Sequence, residues 1–362
     1  MGIEGQTTHT QDTKSFWSHA AVLATLGALV AFALGAAFMS IGHSPQPRDV
    51  PIAVVGPPAA AQQLEEQSEG KLSVRSVSSV EAAKKEIGER EIYGAVVPGE
   101  KGVQQLLIAS AASNQVANFL RRTLGQASQE NVPEIVDAKP LPRDDSNGLS
   151  ISLLLQVLII GGSIGVVGLA HLLPRFRGDP RRGILPLSFL AGYALLFGVV
   201  VTAIAAAFGV GADAAFGDRV LALTLISFAV TASTAALVAL IGPAGSGVAA
   251  LVYFLLGSQI SGGGTAPEFL SPFWSHLGQA LPAGAGTSLL RDVFYFPDAP
   301  TAGPILALAA YAAAGLAVVV ALNIAHARRR AGQSASTTRA NSRPPLVRAA
   351  RTSMSTPLRS DL

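Results

Sequence analysis

Six apolar runs, separated by polar stretches or by stretches rich in glycine and proline, organise this chain. The first, Trp17–Ile41, has 25 residues with no Lys, Arg, Asp or Glu, enough for a helix to cross about 30 Å of hydrocarbon. The apolar core of a cleaved signal peptide has only about 7–15 residues, so this run is interpreted as an uncleaved anchor. The other runs are Leu149–Leu173, Ile184–Val210, Val220–Ile241, Val248–Ile260 and Ile305–Ala325.

Arginines predict how these runs are oriented. The loop Pro174–Gly183 has four arginines and one acid, and the last 35 residues have eight arginines and one acid. Short loops rich in Lys and Arg stay cytoplasmic, so both regions are placed inside. We therefore expect both chain termini to be cytoplasmic.

The fifth run, Val248–Ile260, is short for a membrane span. Its 13 residues make a helix of about 20 Å, against about 30 Å of hydrocarbon. It therefore needs residues from the preceding turn or from Ser261 onward. It is kept as a crossing because the arginine-rich C-terminal region would otherwise lie outside. In the second run, Gly161, Gly165 and Gly168 leave one side nearly bare, which favours close helix packing.

Residues 42–147 have a different, charged character, with 11 Lys or Arg and 14 Asp or Glu up to residue 148. Short β-branched runs alternate with helical patterns, which is typical of a small α/β domain of about 80 residues. Residues 130–147, rich in proline and acids, indicate a linker back to the membrane. The predicted strands are 52–56, 72–77, 93–97 and 105–109, and the predicted helices are 59–69, 80–91 and 113–128, with Ser79 as an N-cap.

The stretch Ser261–Phe296, here called the broken segment, is too interrupted by Gly and Pro for one spanning helix and too apolar for an ordinary loop. It predicts two short helices, Glu268–Leu281 and Thr287–Phe296, joined near Pro282 and dipping into the outer leaflet. Non-helical backbone at that depth must be covered by protein or line a cavity. The candidate residues of this outer re-entrant gate are Gly262, Gly263, Gly264, Pro267, Pro282, Arg291 and Asp292.

Composition agrees with a membrane protein and excludes several kinds of chemistry. Apolar residues make up 49% of the chain and charged residues 14%, against about a quarter charged in soluble domains. Without cysteine there is no disulfide, thiolate metal site or Cys nucleophile. No P-loop motif occurs, so the chain carries no ATPase site of that type. The spans contain no acid pair, His cluster or nucleophile constellation, so no catalytic residue, metal or cofactor is predicted.

The predicted fold is mostly α: a polytopic helical membrane bundle of six spans with an inserted small extracytoplasmic α/β domain. The predicted divisions are a cytoplasmic N-terminus (1–16), the first span (17–41), the α/β domain (42–147), a five-span membrane domain (148–326) that contains the outer re-entrant segment (261–296), and a disordered basic cytoplasmic tail (327–362).

This order of elements resembles the permeases of the type-two ABC exporter class, closest to the phage-infection-protein-like membrane proteins. The residues that carry the resemblance are IAVVGPP after the first span, YGAVVPG, and SGGGTAPEFLSPFWSHLGQALPAGAGTSLLRD in the broken segment. It covers residues 17–326. One departure is the N-terminus, where only 16 residues precede Trp17, whereas many such permeases carry an interfacial helix there.

The resemblance implies a permease subunit of an exporter in the plasma membrane, with a separate ABC ATPase and a second permease copy as partners. By position, the loop Pro174–Gly183 resembles the cytoplasmic coupling loop of that class, so its candidate coupling residues are Arg175, Arg177, Arg181 and Arg182. Nucleic acid is not an expected partner, and the lipid bilayer is. The alternative is a non-transporting receptor, or a secretion or assembly accessory protein, that acts through the α/β domain.

Overall fold

The chain is mostly helical, and the computed structural model describes residues 5–43, 45–99, 102–125, 132–172 and 184–341. The first helix, α1 (Gly5–Gly42), includes the first apolar run and begins within the polar residues before it. In its most apolar 18-residue stretch, no residue is buried. Its contact with the rest of the protein is concentrated at its C-terminal end, where Ile41 is buried and Ser40 bonds to Trp274.

A five-stranded sheet with three helices follows α1, as an α/β domain. The sheet order is β2-β1-β3-β4-β5, with β3 and β4 antiparallel and the other neighbouring pairs parallel. The elements are β1 (Val50–Val55), α2 (Pro58–Gln67), β2 (Leu72–Val77), α3 (Val80–Gly88), β3 (Gly94–Gly99), β4 (Gly102–Ile108), α4 (Asn114–Thr123) and β5 (Glu134–Asp137).

The α/β order follows the sequence pattern closely, with one addition. Ser79 caps α3 as predicted, its side chain accepting a hydrogen bond from the Ala82 amide. The stretch predicted as a pure linker, residues 130–147, contains the strand β5, which pairs in parallel with β4. Its four residues are too few to show a period of two, so the proline-rich surroundings dominated the prediction.

Successive side chains of a strand point to opposite faces of the sheet, so the buried residues of the strands contribute to two cores, one on each face. On one face Ile52, Val54 and Leu106 pack with α2 and α4. On the other, Ala53 and Leu107 belong to a larger core that includes α3 and residues of the helical bundle. The α/β domain therefore packs against the bundle through one sheet face.

The bundle begins with α5 (Ser150–Leu172), α6 (Ile184–Ala207) and α7 (Phe216–Ile241). Helix α7 is central: it packs against α5 and α6, and 61% of its most apolar stretch is buried. The loop that joins α5 and α6 contains the predicted coupling arginines Arg175, Arg177, Arg181 and Arg182, and it lies outside the described residues.

The fifth apolar run forms a longer helix than its apolar residues alone predict. It starts as α8 (Ala244–Ala249), passes through a π-helical stretch (Ala250–Leu256) and ends as α9 (Gly257–Ile260). The 17 residues measure about 25 Å, because the helix recruits Ala244–Gly247 from the turn. Pro243, which cannot continue a preceding helix, precedes its first residue.

The broken segment forms α10 (Pro272–Ala280) and α11 (Pro282–Tyr295), and the last helix is α12 (Ala302–Asn341). Five helices of the described residues, α1, α5, α6, α7 and α12, are long and apolar enough to cross a membrane, which is consistent with a multi-pass membrane protein. Helix α12 continues well beyond Ala325, so the first part of the predicted disordered tail is helical. Residues 326–341 contain Ala, Arg and Gln, which favour helix, and no proline.

Aromatic rings of α6 cover two of the three glycines on the bare side of α5. A Cβ atom at Gly161 would clash with the ring of Phe197, and Gly165 faces the ring of Tyr193. The Tyr193 hydroxyl also donates to the Gly161 carbonyl at 2.6 Å. A Cβ atom added at Gly168, on the same helix, would have no neighbour within 4 Å among the described residues.

This difference makes Gly161 and Gly168 a matched pair for substitution. We expect Gly161→Ala to destabilise the protein by about 1–3 kcal/mol, since the added methyl group overpacks the α5–α6 contact. Gly168→Ala should be neutral or stabilise by up to about 1 kcal/mol, because alanine favours helix over glycine. Thermal unfolding in detergent, followed by circular dichroism, measures both, and equal midpoints for the two variants would contradict the packing.

Candidate functional site

The broken segment turns sharply at three points, each set by local sequence. After α9 the chain runs through the glycines at 262–264 and a short 3₁₀ turn, Pro267–Phe269, before α10. Leu281 is extended (ψ 155°), and Pro282 begins α11 without an amide hydrogen to continue α10. The predicted break at Pro282 is therefore present, although α11 starts five residues before Thr287. The depth of this segment in a membrane stays a prediction.

The start of the broken segment inserts into the core of the α/β domain. Ala266 and Phe269 are buried in the same apolar cluster as the residues of β1, β4 and α4. The ring of Phe269 packs edge-on against Phe119 of α4, with centroids 5.8 Å apart. The Ala266 amide donates to the Gln115 side-chain oxygen at 3.0 Å. The α/β domain and the broken segment thus share one core, and this contact region is here called the junction.

A half-buried glutamate, Glu268, stands beside this insertion and bonds to two parts of the α/β domain. Its carboxylate accepts from the Tyr93 hydroxyl at 3.1 and 3.2 Å. Its backbone carbonyl accepts from the Arg48 amide at 2.9 Å, and the Arg48 guanidinium donates to the Leu270 carbonyl at 3.0 Å. These bonds hold the chain on both sides of Phe269.

An ion pair between Arg90 and Asp292 fixes α11 to the end of α3. Arg90 also donates to the Ser288 carbonyl at 3.2 Å, so it contacts α11 twice. The backbone of Arg90 is left-handed (φ 60°), a conformation that costs a non-glycine residue about 1–2 kcal/mol. The ion pair with the Asp292 carboxylate, whose side chain is 5% exposed, offsets this strain at the end of α3.

Arg291, the neighbour of Asp292, bonds to the glycines rather than to an acid. It donates to the carbonyls of Gly262 at 3.1 Å and Gly263 at 3.4 Å. The predicted gate residues Gly262, Gly263, Arg291 and Asp292 are therefore brought together at the junction. Gly264 follows the same turn, Pro267 packs beside Gly262, and Pro282 lies at the start of α11.

The other end of α11 is tied to the start of α5. The Tyr295 hydroxyl donates to the Asp145 carboxylate at 2.6 Å. The other oxygen of Asp145 accepts from the amides of Leu149 and Ser150 at 3.0 and 3.1 Å, and so satisfies the first turn of α5. Asp145 thus links the start of α5 to the end of α11, through a residue 150 positions away in the sequence.

Burial dominates the electrostatics of the junction. It raises the pKa of Glu268, although Tyr93 and the nearby arginines oppose the shift. It also raises the pKa of Asp292, although Arg90 favours the ionised form. Burial, reinforced by the charge of Arg90, lowers the pKa of Arg291 to about 10, so this side chain remains protonated at neutral pH. Burial and the carboxylate of Glu268 raise the pKa of Tyr93, which stays a neutral hydrogen-bond donor.

Two clefts flank the loop 209–215 between α6 and α7. One, of about 410 Å³, lies between the start of α7, α11 and the start of α12, and its charged lining residues are Asp213, Asp218 and Asp292. The other, of about 580 Å³, lies between the same loop, the end of α11 and residues 139–144. Within the described residues no group of three or more His, Cys, Asp or Glu is arranged to hold a metal ion.

Sequence reasoning missed the partners that the α/β domain contributes: Arg48, Arg90, Tyr93 and Gln115. Local patterns mark Arg90 only as a charged residue near the end of the predicted helix 80–91, and the acid it binds is 202 positions away. Glu268 did carry a signal, since it is one acid among glycines, prolines and aromatic residues of the broken segment.

The Arg90–Asp292 pair predicts a large loss when one partner is removed. Arg90→Met leaves the Asp292 carboxylate buried without its cation, so we expect a loss of about 3 kcal/mol. Adding Asp292→Asn should recover most of it. Arg75→Met is the control, since Arg75 bonds to exposed acids and should cost less than about 1 kcal/mol. Unfolding in detergent is measured for the unchanged protein and the three variants, and similar losses for Arg90→Met and Arg75→Met would show that the junction pair is not special.

The raised pKa of Glu268 predicts a pH dependence with a definite sign. The folded state holds this proton more tightly than the unfolded state, so stability falls as pH rises from the ordinary value of 4.5 through the raised one. Glu268→Gln keeps an oxygen for Tyr93 and removes the titration. We therefore expect the unfolding midpoint of the variant to fall less steeply with pH than that of the unchanged protein. Parallel profiles would be inconsistent with a buried, titrating Glu268.

Comparison with known protein families, curated proteins and solved structures gives no match for this chain. Function is therefore inferred from the sequence and from the geometry of the junction.

Proposed function

We propose that this protein is the membrane permease subunit of an ABC-type exporter, working with a separate ATPase subunit in the plasma membrane. The observation that carries the proposal is the meeting of helix ends at the broken segment. The end of α1 bonds to α10 through Ser40 and Trp274, and the start of α5 bonds to α11 through Asp145 and Tyr295. A bundle whose ends converge on short, broken helices is suited to opening and closing a path.

The remaining helix ends support six crossings. Gly211, after α6, lies against the ring of Phe294, and the starts of α7 and α12 line a cleft together with α11. Helix α9 ends where the broken segment begins. Since α7 starts at this same end of the bundle, the 17-residue helix from Ala244 to Ile260 runs back along it. With that helix as a sixth span, we assign the arginine loop 174–183 and Arg328–Arg330, in the C-terminal part of α12, to the side opposite the α/β domain.

Orientation then follows from charge. Arginine-rich loops stay cytoplasmic, so the α/β domain, the junction and the two clefts are extracytoplasmic in this proposal. The clefts lie beside the broken segment, where a substrate that has crossed the bundle would leave. In this proposal the ATPase binds on the cytoplasmic side, at the loop with Arg175, Arg177, Arg181 and Arg182. A second permease copy completes the proposed assembly.

The direct test is purification of the tagged chain from its own membranes, followed by an assay of ATP hydrolysis. We expect a P-loop ATPase to co-purify, because this chain has no such motif of its own. Arg181→Ala with Arg182→Ala should weaken co-purification and stimulated hydrolysis. Arg343→Ala with Arg348→Ala removes the same charge from the tail and should leave both unchanged.

Absence of an ATPase and of stimulated hydrolysis would overturn the exporter proposal. A receptor or accessory protein that acts through the α/β domain would then be the better explanation. Deletion of residues 45–145 does not distinguish the two functions, since the broken segment loses its core partners Phe119 and Gln115 with the domain. Surface substitutions on the exposed face of α2 are suited to that purpose, because they leave the junction intact.

A further inference from the structure

A small polar cavity of about 40 Å³ lies within the junction, where α4, the loop before α5, the glycine turn and α11 meet. Its volume suits a single water molecule or a monatomic ion of similar size, since a water molecule occupies about 30 Å³ in the liquid. Arg291 is the one charged residue in its described lining. The polar residues that matter for its chemistry are Ser110, Ser113, Gln115, Arg291 and Tyr295.

Arg291 is a buried cation without an ion pair in the described part of the chain. The residue is 7% exposed, and the carbonyls of Gly262 and Gly263 take two of its N–H groups. A guanidinium has five N–H donors, so three remain. The adjacent carboxylate, Asp292, is paired with Arg90, and Asp292 and Glu268 act on Arg291 only from beyond ion-pair distance. Burying a charge is costly unless it is paired, and the cavity lies beside this one.

Three other side chains around the cavity, Ser110, Ser113 and Gln115, use their oxygens as acceptors and keep hydrogens to donate, whereas the Tyr295 hydroxyl donates to Asp145. Ser110 Oγ accepts from the Leu141 amide at 3.0 Å, and Ser113 Oγ accepts from the Val116 amide at 3.3 Å. Gln115 Oε1 accepts from the Ala266 amide, which fixes the NH₂ group as the free end of that side chain. The two hydroxyl hydrogens and this NH₂ group have no acceptor among the described residues.

The backbone at the start of α4 also favours an anion. Asn114 and Gln115 form the first turn of α4, whose amides carry the positive end of the helix dipole. The acids bonded to lining residues are already satisfied: Asp137 accepts from the Ser110 amide, and Asp145 accepts from Tyr295 and the start of α5. Neither acid lines the cavity.

We propose that this cavity binds a small monovalent anion of the size of chloride, between Arg291, Gln115 and the serines at the start of α4. The anion neutralises the charge of Arg291 and accepts hydrogen bonds from the spare N–H and O–H donors on both sides of the junction. It therefore fastens the glycine turn and α11 to the α/β domain. This role goes beyond the proposed transport function, because it makes the contact between the two parts depend on anion concentration.

The first test is the unfolding midpoint of the full-length protein in detergent, with chloride exchanged for gluconate at constant ionic strength. Gluconate is too large for the cavity. We expect the midpoint to rise with chloride and, above the dissociation constant, to increase with the logarithm of its concentration. Bromide should replace chloride. Equal midpoints in chloride and gluconate would overturn the proposal.

Gln115→Glu is the sharpest variant. Its carboxylate still accepts from the Ala266 amide, and its second oxygen puts a fixed negative charge where the anion would bind. We expect its midpoint to be independent of chloride. Arg291→Gln should also lose the response, although it risks misfolding. Arg122→Gln removes an exposed arginine from the same helix, α4, and should keep the full response.

Location is tested by anomalous scattering from crystals grown in bromide. A bromide peak beside Arg291 is the expected result. A chloride response that persists in Gln115→Glu, or a peak that lies only elsewhere, would show that the anion binds at a different place. A cavity filled by water in saturating bromide would likewise overturn the proposal. None of these measurements requires the ATPase, so the outcome is independent of the exporter proposal.

Discussion

The burial of opposite charges between the α/β domain and the broken segment is the constraint on which the rest of the structure depends. Arg90 and Asp292 pair across the junction, and Tyr93 donates to Glu268 beside them. Removing one partner from such a network leaves a charge or a polar group with no water to solvate it. Together with the shared core around Phe269, this makes separation of the two parts costly. The α/β domain, α10 and α11 therefore behave as one unit.

The broken segment needs such a partner because its own backbone leaves many polar groups unsatisfied. A continuous helix satisfies its amides and carbonyls internally, whereas each break exposes several of them. At the junction Arg291 takes the carbonyls of the glycine turn, Arg48 takes that of Leu270, and Gln115 takes the Ala266 amide. Through Arg48 and Gln115, the α/β domain thus supplies hydrogen-bond partners that the hydrocarbon of a bilayer lacks. The broken segment also packs closely on the helix before it, since a Cβ atom at Gly278 of α10 would clash with the Ile260 carbonyl at the end of α9.

Local pattern was enough to predict the apolar helices, most of the α/β order and the break at Pro282, because each depends on residues near one another in sequence. It failed where distant residues decide. The strand β5 exists because β4 offers it a partner, and the pairing of Arg90 with Asp292 joins positions 202 residues apart. Local pattern left open whether the fifth run is extended from the preceding turn or from Ser261 onward, because glycine-rich turns usually end helices. Here packing against α7 and α5 overrides that preference.

The same constraint determines which parts can move relative to one another. The α/β domain shares its core and its buried charges with the broken segment, so a shift of α11 against α7 must carry the whole domain with it. The two clefts lie on this boundary, between α11 and the loop that joins α6 to α7. Helix α1 contacts the bundle mainly at its end, through Ser40 and Trp274 of α10. Any such movement would therefore also displace α1, whose most apolar stretch has no buried residue.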